Sequence, residues 1–232
     1  MSPIRIAAMV AYVVVLAVPS CTPAGPDDGQ SGADAPALGD RAPSASPPGD
    51  GDRTLLDGTP ESLDEWRMTG PGEFVLESDG SVRTVGGMGL LWYPESFGSY
   101  RLRLEWKVAG DDNSGVFVGF PDPGDDPWVA VEHGYEIQID ATDEPDRTTG
   151  AIYGVQGADV NARDAALNPP GTWNAYEIVV EGQAIDVYLN GELINQFEDS
   201  DPARDLSEGF IGLQNHDDGD EVYFRHIRIE PR

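Results

Sequence analysis

The stretch Gly134-Tyr135-Glu136-Ile137-Gln138-Ile139-Asp140 concentrates more chemistry than any other part of the chain. Extended backbone turns alternate side chains to opposite faces, so Glu136, Gln138 and Asp140 share one face and Tyr135, Ile137 and Ile139 the other. Two carboxylates and an amide in a row suit sugar hydroxyls, and Glu136 has the chemistry of a general base or acid. A second cluster is Gly212-Leu213-Gln214-Asn215-His216, in which Gln214 and Asn215 bring donors and acceptors and His216 brings an imidazole that changes charge near neutral pH. Asn113 and Ser114 open a third segment, directly before Gly115 and the apolar run Val116–Phe120. Trp128, Trp92 and Trp173 offer rings that stack on sugar faces, and Glu132 and His133 stand just ahead of the Glu136 strand, near its mouth. Each feature also has a plainer explanation: a solvated sheet face for the row, a strand-end turn for His216, and an acidic turn for Asp217, Asp218 and Asp220.

Geometry argues against an ordinary two-carboxylate glycosidase. A strand rises about 3.3 Å per residue, which separates the Cα atoms of Glu136 and Asp140 by roughly 13 Å. Retaining chemistry needs carboxyl groups about 5–5.5 Å apart and inverting chemistry about 6.5–9.5 Å. The position between them is Gln138, which does not ionise. A divalent metal stays open as a cofactor: His216, Glu136 and Asp140 are suitable ligand types, although no spacing demands one. The chain has no GxSxG, HExxH, phosphate loop or CxxC, which removes serine hydrolases, zincins and nucleotide enzymes of the usual kinds. A formal net charge of −28 sets nucleic acid aside as a partner, because its phosphates would be repelled.

These side chains need a scaffold of strands. Tyr100, Leu102, Leu104, Trp106 and Val108 alternate with Arg101, Arg103, Glu105 and Lys107, the pattern of a strand with one buried face. Shorter runs fall at 73–77, 81–85, 115–120, 135–140, 150–154, 175–181, 184–189, 192–197, 209–214 and 222–229. Asn190-Gly191 between two of them is a strong hairpin signal, and Gly182-Gln183 marks another turn. Helix is expected only in short pieces around 59–66 and 161–166. Many short strands with close turns predict an all-β fold, a two-sheet antiparallel jelly-roll sandwich.

The N-terminal quarter differs in kind. Residues 1–20 read as an export signal, with Arg5 ahead of an apolar run from Ile6 to Val18 that is too short for a stable membrane span. Cys21 follows Ser20 and is the only cysteine, so it forms no internal disulfide and reads as a lipidated N-terminus after processing. Residues 22–53 are rich in Pro, Gly, Ala and Asp and read as a disordered tether. The expectation is an exported protein, anchored through Cys21 on the outer side of the cell membrane or secreted, with one domain over 54–232.

Over that span the chain resembles the 3-keto-disaccharide hydrolase family. The resemblance rests on NSGVF at 113–117, GYEIQI at 134–139, TGAIYG at 149–154, PPGTWNAYEIVV at 169–180, VYLNG at 187–191 and GFIGLQNH with VYFRHIRI between 209 and 229. Two positions differ from the family pattern: Gly119-Phe120 stands where members often carry a basic residue, and Asp217 where they often carry glycine. The resemblance implies a concanavalin-like lectin or glucanase fold and action on 3-keto-glycosides. A ketone at C3 acidifies the C2 proton, so one base starts an elimination that expels the C1 substituent, and water adds afterwards. In that scheme Glu136 or His216 is the base. Gln138, Asp140, Asn113, Gln214, Asn215 and Trp128 contact the carbohydrate substrate. The alternative is a lectin-like binding module on the same fold, without catalysis.

Overall fold

The computed structural model describes residues 51–232, so the signal, Cys21 and most of the tether lie outside the described residues. Among the described residues, thirteen strands form two antiparallel sheets. They are β1 (Arg53–Leu56), β2 (Arg67–Thr69), β3 (Glu73–Leu76), β4 (Val82–Val85), β5 (Gly89–Phe97), β6 (Tyr100–Val108), β7 (Ser114–Phe120), β8 (Tyr135–Ile139), β9 (Asn174–Glu181), β10 (Ala184–Leu189), β11 (Glu192–Glu198), β12 (Gly209–Asn215) and β13 (Val222–Pro231). The eight-stranded sheet runs β11-β10-β9-β6-β13-β4-β3, with β1 also paired to β13. The five-stranded sheet runs β2-β5-β12-β7-β8. The sandwich is the all-β architecture expected from the alternating strands.

Period two builds the core between the sheets. Tyr100, Leu102, Leu104, Trp106 and Val108 are all buried there. On the other face of β6, Arg101, Arg103 and Glu105 make ion pairs, with Arg103 bonding Asp52 at 2.6 Å and Glu177 at 2.9 Å. The five-stranded sheet contributes Val116, Val118, Tyr135, Ile137, Ile139, Ile211 and Leu213 to the same core. Its outer face carries a second apolar cluster of Leu90, Trp92, Phe117, Phe120 and Ala130. Burial on both faces explains why β5 shows no alternation in the sequence: Leu91 packs inward while Leu90 and Trp92 pack outward.

Asn190-Gly191 is the two-residue turn between β10 and β11, with φ of 51° and 89°. Positive φ at both positions matches the twist of the flanking strands. Asn190 does more than turn the chain. Its buried amide donates to Ala166 O and Asn174 Oδ1, both at 2.8 Å, and its Oδ1 accepts from Ala175 N.

Two expectations are corrected. The segment 150–154 is a looped cover and not a strand; only Ile152 makes bridges, to Ile137 and Gln156. Gly150 and Gly154, at φ of 83° and 65°, bend the chain at both ends of this stretch. Its backbone nevertheless bonds the free edge of β8, through Gln138 N to Ala151 O, Gly150 N to Gln138 O and Tyr153 N to Glu136 O. An exposed sheet edge is thereby capped. Helix is also more widespread than expected. Besides α1 (Pro60–Leu63) and α3 (Val160–Ala166), α2 (Trp128–His133) lies against β7 and β8. Its apolar, β-branched run hides it, and Pro127 at its N-cap makes no side-chain cap; only Gly134 after its last residue is a stop signal.

Candidate active site

A cavity of about 200 Å³ opens on the outer face of the five-stranded sheet. Its polar lining is Asn113, Glu136, Gln138, Gln214 and His216; its apolar lining includes Leu90, Phe117, Pro127, Trp128, Val131 and Tyr153. The volume suits a small ligand rather than a single water. Three segments far apart in sequence meet here because β12, β7 and β8 are neighbours. Glu136 and Gln138 project from β8, Asn113 sits at the entry of β7, and Gln214 and His216 stand at the end of β12.

Glu136 is the most unusual group. It is only 6% exposed, and its Oε1 has no hydrogen-bond partner. Burial alone pushes its carboxyl up to about 8. Gly115 makes room for it: a Cβ there would lie 2.2 Å from Glu136 Oε1. The glycine of the NSG segment is therefore required by the carboxyl across the strand pair. Gln138 Nε2 donates to Asn113 Oδ1 at 3.1 Å, while Gln138 Oε1 and Gln214 Oε1 lack partners. Three unpartnered side-chain oxygens thus belong to residues lining one cavity. Buried polar groups are rarely left unbonded, so the set suits a polar ligand.

His216 is held at Nδ1, 2.8 Å from Asp220 Oδ2. Asp220 Oδ1 accepts the backbone N–H of Asn113 at 3.0 Å. The acidic turn of 217–220 therefore contributes a side chain behind the site, which nothing in its composition signalled. Trp128 is 51% exposed and Tyr153 38% exposed, both at the cavity wall. Tyr153 was not anticipated; the TGAIYG motif was its only trace.

Several expected contacts fall elsewhere. Asp140 does not line the cavity; its Oδ1 accepts from Thr142 N beyond the end of β8, where the chain leaves the sheet. It therefore does not join Glu136 and His216 as a ligand set, and among the described residues no group of three His, Cys, Asp or Glu side chains is positioned to hold a metal. Asn215 lies on the opposite face of β12 from Gln214, as alternation requires. It is fully buried and donates to Glu73 O and Val85 O, tying β12 to the other sheet. Trp92 is buried against Phe210 with its Nε1 bonded to Thr69, and Trp173 lies under Arg225 and near Lys107. Glu132 and His133 are exposed and do not line the cavity.

A lectin-type sandwich with an acid, an imidazole and amides in one cavity belongs to the class of carbohydrate-active domains. Residues 51–230 match the 3-keto-alpha-glucoside-1,2-lyase-like domain, and the chain belongs to that family. It is similar to a 3-keto-disaccharide hydrolase of Bacteroides thetaiotaomicron, at 28% identity over 78% of each chain. A glycosyl hydrolase candidate of Parabacteroides distasonis superposes with a TM-score of 0.64 at 25% identity, covering 78% of this chain and 99% of the other. A carbohydrate-binding module of Bacillus subtilis shares the fold, with a TM-score of 0.51 at 16% identity over 72% and 95% of the two chains.

Proposed function

We propose that this chain cleaves 3-keto-glycosides, 3-keto-disaccharides among them, by elimination followed by hydration. The observation that carries the reading is the buried, unpartnered carboxyl of Glu136 in one cavity with His216. With its pKa near 8, Glu136 is mostly protonated at neutral pH and fits the acid; His216, whose imidazole lines the same cavity, fits the base. His216 takes the C2 proton. The electron pair forms the C1=C2 double bond, the C1–O bond breaks, and the leaving oxygen takes the proton of Glu136. Water then adds as OH at C1 and H at C2, so the net reaction is hydrolysis. Charge that builds on the C3 oxygen meets the second Nε2 hydrogen of Gln138, the first being given to Asn113. Two-carboxylate hydrolysis fits less well, since among the described residues Glu136 is the only carboxyl group in the lining.

Lipidation at Cys21 is part of the proposal and would hold the domain outside the cell membrane. The test is incubation with 3-keto-disaccharides while release of the ketosugar is followed. Turnover that falls ~10²–10⁴-fold in His216→Gln supports the reading. Sugar binding without turnover by the unaltered protein replaces it with a lectin-like one.

A further inference from the structure

We infer that Asp220 is a positioning residue that fixes the tautomer of His216 and aligns the base with the amide row. The inference rests on the reading of His216 as the base. A carboxylate only accepts hydrogen bonds, so the 2.8 Å contact of Asp220 Oδ2 with Nδ1 requires the proton on Nδ1. The neutral ring then keeps its lone pair on Nε2, the form a base needs; free histidine favours the opposite tautomer. The second carboxylate oxygen holds the backbone N–H of Asn113, whose own Oδ1 holds Gln138 Nε2. One side chain therefore sets His216, Asn113 and, through it, Gln138 in a common frame. The carboxylate is itself anchored, since its backbone carbonyl accepts from Thr84 Oγ1 at 3.0 Å. Its side chain is 15% exposed against 45% for His216, so the orienting bond sits on the sheltered side of the ring.

Asp220→Asn preserves shape and makes a sharp prediction. The backbone N–H of Asn113 needs an acceptor, so the amide oxygen stays there and the NH₂ turns to Nδ1. Nδ1 then becomes an acceptor and the proton moves to Nε2. The chain has three histidines, so long-range ¹H–¹⁵N spectra are assignable with His133→Gln and His226→Gln. At a pH where the ring is neutral, the unaltered protein should carry Nδ1–H at His216 and Asp220→Asn should carry Nε2–H. Turnover in the variant should drop ~10²–10⁴-fold with KM little changed. An Nε2–H ring in the unaltered protein, or a tautomer indifferent to Asp220→Asn, overturns the inference. If the tautomer shifts as stated while His216→Gln turns over normally, Asp220 still positions the ring and the assignment of the base is what fails.

Discussion

Glu136→Gln should change how stability depends on pH, independently of any substrate. The carboxyl has an ordinary value of 4.5 when the chain is unfolded and about 8 when folded, because burial opposes its charge. Between those values the folded state holds more protons than the unfolded one, so stability falls as pH rises through the window. At about 1.4 kcal/mol per unit, the loss reaches about 3 kcal/mol at pH 7 and levels off near 5 kcal/mol above pH 8. The amide carries no such proton, so the variant lacks this slope. Other carboxylates titrate equally in both proteins and cancel in the difference. Urea midpoints at constant slope, taken every half unit from pH 4.5 to 9, give that difference directly. The two curves should meet near pH 4.5 and diverge in favour of the variant toward pH 8. Parallel curves would mean that Glu136 ionises like a surface carboxylate, and the acid role would lose its physical basis.

Gly115→Ala should cost ~1–3 kcal/mol through overcrowding of Glu136, and thermal melts should show the penalty shrinking when Glu136→Ala is added. Gly191→Val should cost ~1–3 kcal/mol because φ of 89° is strained for a branched residue; an unchanged melting temperature would contradict that. Cys21→Ala should release the protein from membranes or block its processing, which fractionation of cells reads directly.

Where apolar and polar side chains alternate, the pattern is legible: β6 spans Tyr100–Val108 as the alternation predicts, and Glu136 and Gln138, although buried, share the face opposite Tyr135, Ile137 and Ile139. Where both faces pack against apolar neighbours, as at Leu90, Leu91 and Trp92 of β5, alternation vanishes and the signal with it. Proximity in sequence misled at Asn215, which is next to His216 yet points into the body of the fold, and at Asp140, which lies past the end of its strand. Tyr153 and Asp220 reach the site through loop geometry, Tyr153 from a glycine-bracketed loop and Asp220 from an acidic turn; neither leaves a period to detect.

The central claim is that cleavage proceeds through removal of the C2 proton. Turnover of a 3-keto-disaccharide in D₂O, with NMR of the released ketosugar at early times and a control for spontaneous exchange, tests it most directly. Elimination and hydration predict deuterium at C2 of the product, with incorporation and release both lost in His216→Gln. Release of ketosugar that keeps its C2 hydrogen would contradict the account and require direct displacement at C1.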